Sequence, residues 1–276
     1  MALGTTSWQI RGGSLPLDRP LVMGIVNVTP DSFSDGGRFR AAEPALARAR
    51  ELVAAGADLV DVGGESTRPG ATDISADEEI GRVVPVIRAI RAELEVAVSV
   101  DTRKAEVARA ALDAGARVVN DVSGFADGAM AATVAVAGAG VVLMHMRGTP
   151  ATMQTLTGYG DVAADVAAEL GGAVERARAA GIADRCVVLD PGIGFAKTAE
   201  QNLELIARVG TLLRLGFPVL LGPSRKAFIG GLLGGVPATE RDAGTAGACV
   251  AGLARGARIF RVHDVRTARH ALDVAW

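Results

Sequence analysis

Polar side chains recur along this chain in one kind of place, the end of a short β-branched run. In order they are Asn27, Asp61, Asp101, Asn120, His145, Asp190, Lys226 in the loop after such a run, then Arg261 and His263. Any one of them could be an ordinary helix cap, since Asp and Asn favour that position. Together they read as a polar pocket, because buried carboxylates need partners or a ligand. Asp101, Asn120 and Asp190 would give two carboxylates and an amide, which suit a heterocycle presenting adjacent N–H and NH2 donors. Lys226 could meet a ring carbonyl opposite them. Arg261 and His263, two residues apart on one strand face, could grip a phosphate.

Three loops add to this chemistry. TPDSFSDGG (29–37) holds Phe33 and Asp35 before a Gly pair that could hinge a lid, or it is a plain surface loop. GGESTRPGA (63–71) carries Thr67, Arg68 and Pro69 just after a strand, and Arg68 has a fork of donors for an anion; a surface arginine in a turn is the alternative. GPSRKAFIGGLL (222–233) sets Ser224, Arg225 and Lys226 at a helix start, where anions are favoured.

Eight cycles of strand, loop and helix must position these residues. Strands are expected at 21–28, 57–62, 96–101, 117–122, 140–146, 186–191, 217–222 and 258–263. Helical patterns lie near 42–55, 77–93, 104–114, 128–138, 161–180, 199–214, 239–255 and 265–275. Consecutive apolar positions in the strands suit a parallel sheet covered by helices. Eight such units in 276 residues match a (β/α)8 TIM barrel, whose active sites form at the C-terminal strand ends. An open doubly wound sheet is the competitor, but no GxGxxG follows the first strand. Residues 7–17 suggest a short N-terminal β-hairpin. No composition break divides the chain, so residues 1–276 read as one domain.

The formal net charge of −2 offers no footprint for nucleic acid or an anionic membrane. No secretory signal and no run of about 18 apolar residues is evident, so a cytoplasmic protein is expected. Cys186 and Cys249 are too few for a disulfide framework and read as core residues. Met23 and Met146 read as core filler, His145 as either internally bonded or ligand-facing, and His270 as solvated.

The segments MGIVNVTPDSFSDGG, GADLVDVGGESTRPGA, SVDTRKAEVARAAL, NDVSG, VLMHMRGTP, LDPGIGFAKT, SRKAFIG and RVHDV closely resemble dihydropteroate synthases, in order, from about Leu21 to Val274. The resemblance implies a (β/α)8 barrel, a homodimer, and folate biosynthesis. The expected reaction condenses 6-hydroxymethyl-7,8-dihydropterin pyrophosphate with p-aminobenzoate, giving 7,8-dihydropteroate and pyrophosphate, with sulfonamides as competitive mimics of p-aminobenzoate.

Carried onto this chain, the resemblance implies pterin contacts from Asp101, Asn120, Met144, Asp190, Phe195, Lys226 and Arg261. Asn27, Thr67, Arg68, Arg261 and His263 would bind the pyrophosphate, and Asn27 would ligate Mg2+. Phe33, Thr67, Pro69, Phe195, Ser224 and Lys226 would form the p-aminobenzoate pocket, while Asp35 and Arg68 order the loops. Asp101, Asp190, Lys226 and Arg261 would carry the catalysis. Many relatives have Ser after the SRK lysine where this chain has Ala227, so one hydroxyl contact to the p-aminobenzoate carboxylate would be missing. The alternative is a catalytically inactive pterin-binding paralogue. A pterin-dependent methyltransferase barrel would have no reason to keep STRPG or SRK.

Overall fold

The computed structural model describes residues 6–28, 42–68 and 70–276. Eight parallel strands run in the order β8-β7-β6-β5-β4-β3-β10-β9. They are β3 (Leu21–Asn27), β4 (Leu59–Gly63), β5 (Ala97–Asp101), β6 (Val118–Asp121), β7 (Gly140–Met144), β8 (Val187–Asp190), β9 (Leu220–Leu221) and β10 (Ile259–Val262). A parallel bridge between Leu189 and Val219 joins the two ends of this order and closes the barrel. The connecting helices are α1 (Ala42–Ala54), α2 (Ala76–Glu93), α3 (Ala105–Asp113), α4 (Met130–Ala137), α5 (Val162–Ala179), α6 (Ala199–Ala207), α7 (Val209–Leu213), α8 (Ala227–Leu232), α9 (Asp242–Leu253) and α10 (Val265–Ala275). The TIM barrel read from the sequence is therefore the fold observed.

Strand periodicity explains how one sequence makes both a sealed core and a polar mouth. Alternate residues face opposite sides of a strand. Val60, Val62, Val98, Val100, Val119, Val141, Leu143, Leu189 and Phe260 join the outer layer beneath the helices. The inward set begins with Met23, Leu59, Ala97, Val118, Val142, Val188, Leu220 and Ile259, which form one apolar floor across all eight strands. Two residues further along, the same faces bring Asp61, Ser99, Asn120, Met144, Asp190 and Arg261. Apolar bottom and polar top thus follow from the same period of two.

The expected hairpin is present: β1 (Ser7–Ile10) pairs antiparallel with β2 (Gly13–Pro16). It plugs the floor end, with Trp8 fully buried against the floor residues and its indole N–H donated to the Cys186 carbonyl at 2.9 Å.

Three expectations are corrected locally. The helix expected over 199–214 breaks at Arg208, whose φ of −111° and ψ of 28° end α6 before α7 begins. The strand expected over 217–222 narrows to two residues, since Pro218 has no N–H for the ladder and serves only as acceptor from the Leu189 N–H at 2.9 Å. Cys249 is buried in the core as expected, whereas Cys186 is only half-buried.

Candidate active site

The polar mouth is organised around Arg261. From β10 its guanidinium crosses the barrel, Nε donating to Asp61 Oδ2 and Nη2 to Asp101 Oδ2, each at 2.6 Å. Asn120 Nδ2 donates to the same Asp61 oxygen at 3.0 Å. Asp61 is fully buried, and Asp101 and Asn120 nearly so. One oxygen on each of Asp61, Asp101 and Asn120 has no partner among the described residues. Such buried acceptors are costly unless a ligand or water satisfies them, so this face is built to receive donors.

Asp190, at the end of β8, faces the same space. Its Oδ1 accepts the Gly192 N–H at 2.7 Å, and burial pushes its pKa up to about 6 against that hydrogen bond and the nearby cations. Burial likewise raises the Asp101 carboxyl, while Arg261 opposes it. The PGIGF turn after Asp190 lies so close to the His145 carbonyl that a Cβ at Gly192 would sit 2.0 Å from that oxygen. Only glycine fits there, at φ +70°.

Lys226 closes the opposite side. Its Nζ lies 4.0 Å from the centre of the Phe195 ring, a cation over an aromatic face. Burial, then Arg261, bring its pKa down to about 8. Met144, Phe195, Val122, Met153 and Ala196 form a separate apolar cluster with half-buried Met146 packed against it. Met144 and Phe195 thus pack in one apolar cluster. Met146 backs that cluster, while Met23 lies in the floor.

His263 is held by Ser224. The Ser224 hydroxyl oxygen accepts the His263 backbone N–H at 3.0 Å and lies 2.8 Å from its Nδ1. Burial and the neighbouring cations drive His263 down to about 3, so its ring is neutral.

The chain as a whole resembles known proteins. A family model described as pterin binding enzyme matches residues 23–263. A dihydropteroate synthase from Synechocystis is 49% identical over 258 residues, covering 93% of this chain and 89% of that one. The chain belongs to the dihydropteroate synthase family. It is an enzyme, a transferase of that family. Among solved family members, a Xanthomonas albilineans dihydropteroate synthase with 4-aminobenzoic acid superposes with a TM-score of 0.92 at 46% identity, covering 98% of this chain and 97% of that chain. A Yersinia pestis dihydropteroate synthase in complex with a sulfonamide drug gives 0.92 at 43% identity, covering 98% of both chains.

Asp101, Asn120, Asp190, Lys226, Arg261 and His263 all lie at the mouth. Asn27 ends β3 on the inward phase of Met23 and Ile25, half-buried. Thr67 is half-buried and Arg68 exposed on the loop after β4. Phe33, Asp35 and Pro69 lie outside the described residues. Ser224 differs from expectation: its hydroxyl is engaged by His263 rather than left open to a p-aminobenzoate carboxylate. The helix after Lys226 has only six residues, Ala227–Leu232, so it offers free N–H groups but little macrodipole.

Two participants escaped the site reading. Asp61 was visible as a strand-end carboxylate, yet its role as the anchor of Arg261 needs the closure of β10 against β3 and β4. Lys197, in the loop between β8 and α6, is buried, donating to the Phe195 carbonyl at 2.8 Å and lying 3.0 Å from His145 Nδ1. Burial lowers its pKa to about 7. His145 is internally bonded, with Nε2 2.9 Å from Glu169, and burial followed by Lys197 lowers it to about 4. His270 is exposed, as expected.

Proposed function

We propose that this mouth joins 6-hydroxymethyl-7,8-dihydropterin pyrophosphate to p-aminobenzoate, yielding 7,8-dihydropteroate and pyrophosphate. The carrying observation is the set of unpartnered acceptor oxygens on Asp61, Asp101 and Asn120, with Asp190 facing the same space. A pterin edge offers the N–H and NH2 donors such acceptors need. Lys226 meets the ring carbonyl from the other side, and Met144 and Phe195 supply the apolar wall.

Seating the ring donors on Asp101 competes with Arg261 Nη2 for that carboxylate. The guanidinium, still tethered by Nε to Asp61, is then free to cover the ring face and reach the pyrophosphate with His263 and Arg68. If Ser224 gives its O–H to His263 Nδ1, the neutral ring presents Nε2–H, a donor suited to a phosphate oxygen.

An aromatic amine is a weak nucleophile, so the easier order is leaving group first. The methylene C–O bond breaks with its electron pair departing on pyrophosphate, whose charge Arg261, His263 and Arg68 stabilise. Asp101 and Asp190 stabilise the cation developing on the pterin. The p-aminobenzoate nitrogen then forms the new C–N bond and loses its proton. Thr67, Lys226 and Phe195, with Phe33 and Pro69, would hold p-aminobenzoate or a sulfonamide mimic.

Among the described residues no cluster of three or more His, Cys, Asp or Glu side chains could hold a metal. A single amide oxygen from Asn27 suits Mg2+ arriving on phosphate oxygens, where it would neutralise charge on the leaving group. A cytoplasmic homodimer belongs to the same reading. No helix among the described residues is long and apolar enough to cross a membrane.

Positional isotope exchange tests the order of events. Labelled pterin pyrophosphate should scramble its bridging oxygen without p-aminobenzoate turnover. Retention of the label, with substrate saturating and the loops able to close, contradicts early departure. Binding of pterin pyrophosphate without any turnover would instead favour an inactive paralogue.

A further inference from the structure

The ESTR and DTRK segments both follow strand ends, and the reaction as proposed leaves three of their residues without a role: Glu65, Arg103 and Lys104. The Glu65 side chain is only 6% exposed and gathers three donors. The Ile74 N–H reaches Oε1 at 3.0 Å, Lys104 Nζ reaches Oε1 at 2.9 Å and Arg103 Nε reaches Oε2 at 3.1 Å. Lys104 Nζ also holds Glu79 Oε2 at 2.6 Å, and Glu79 is fully buried. Arg103 Nη2 extends to Asp73 at 2.6 Å. The Gly64 carbonyl accepts from Arg82 at 2.7 Å. Residues 64, 65, 73 and 74, at both ends of the loop after β4, are thereby fixed to α2 and to the residues that follow β5.

This placement links two parts of the mouth. Thr67 and Arg68 come two and three residues after Glu65. Arg103 and Lys104 come two and three residues after Asp101. Buried charge-assisted bonds are the strong kind, and those on Glu65 and Glu79 are shielded from the solvent that weakens surface pairs, whereas the Arg103–Asp73 pair is open to it. Burial opposes ionisation of Glu65, but its donors from Ile74, Lys104 and Arg103 outweigh this and hold the carboxyl below the usual range.

We infer that Glu65, clamped by Arg103 and Lys104, is a positioning residue for the second substrate: it ties the Thr67–Arg68 loop to the strand that carries Asp101. This rests on the proposed synthase reading. The clamp touches neither substrate. Its loss should spare the pterin pocket and loosen the loop that completes the p-aminobenzoate site.

The test compares Glu65→Gln, Arg103→Met and Arg103→Lys with wild type. Each variant is first checked for folding by its melting transition. Steady-state kinetics should show the p-aminobenzoate KM up by about tenfold in Glu65→Gln and Arg103→Met, with kcat falling as well because Arg68 shares the loop, while the Kd of a pterin that lacks the pyrophosphate stays within about twofold. Arg103→Lys should recover at least part of the loss. Without substrates, hydrogen exchange of the backbone amides from 66 to 74 should speed up in the two weakened variants and nowhere else in the mouth. Should Glu65→Gln fail to fold, Arg103→Met carries the test. An unchanged p-aminobenzoate KM, or a parallel loss of pterin affinity, overturns the clamp. A wild type that makes no dihydropteroate overturns the synthase reading instead, and the exchange rates then judge the clamp alone.

Discussion

Arg261 is anchored to Asp61 by a 2.6 Å bond from Nε to a fully buried carboxylate. The contact spans the barrel from β10 to β4, with β3 between them in the sheet. The planar guanidinium's second bond, from Nη2 to Asp101 at 2.6 Å, is the one that a ligand's donors would compete for.

Asp61→Asn should therefore damage both stability and turnover. Removing one partner of a buried pair costs about 3–5 kcal/mol when the other charge is stranded; Asp101 remains beside Arg261, so a smaller loss is expected. Urea unfolding should show that loss. The kcat/KM for pterin pyrophosphate should fall by at least about tenfold, a loss of roughly 1.4 kcal/mol in transition-state stabilisation. Wild-type stability and kinetics in this variant would remove Asp61 from the account.

Asp190 should show the opposite trade. Burial holds its folded pKa at about 6, above the 3.8 of the unfolded chain, so its contribution to stability is fully present below about 3.8 and is lost as pH rises through about 6. At pH 8 the ionised, buried carboxylate weighs against the ligand-free fold. Asp190→Asn keeps an acceptor for the Gly192 N–H, so it should raise the melting temperature at pH 8. The gain should shrink toward pH 4, and pterin binding should be lost throughout. A lower melting temperature at pH 8 would contradict the burial argument.

Much of this was legible in the chain. Eight cycles of consecutively apolar strand and helix gave the barrel, and their positions at strand ends marked Asp101, Asn120, Asp190 and Arg261 for its mouth, because both patterns are local. Asp61 was seen but not recognised as an anchor: its partner is 200 residues away, and only barrel closure brings them together. Lys197 and Glu65 were missed as buried charges because a lysine or glutamate in a loop ordinarily points to water. The contact of the Ser224 hydroxyl with His263 was not legible, since nothing local indicates it. The break at Arg208 was hidden by an apolar pattern that continues on both sides.

Ser224→Ala separates its contact with His263 from the one expected with p-aminobenzoate. Loss of the hydroxyl frees the His263 ring, so kcat/KM for pterin pyrophosphate should drop by about tenfold, the scale of one charge-assisted bond. The p-aminobenzoate KM should change little. A selective rise in that KM would restore the contact first expected for Ser224.

Ala227→Ser tests the missing hydroxyl. Ala227 is exposed at the first position of α8, so the substitution should leave the melting temperature unchanged. The p-aminobenzoate KM should fall by about two- to fivefold, within the net value of one hydrogen bond. An unchanged KM would mean that the backbone N–H groups already satisfy the carboxylate.

On the proposed function, the mouth formed by Asp101, Asn120, Asp190 and Lys226 joins a pterin to an aromatic amine. Purified protein incubated with Mg2+, pterin pyrophosphate and labelled p-aminobenzoate should form labelled dihydropteroate. That product should vanish in Asp190→Ala and when Mg2+ is chelated. Absence of product from wild type, or product undiminished in Asp190→Ala, would contradict it.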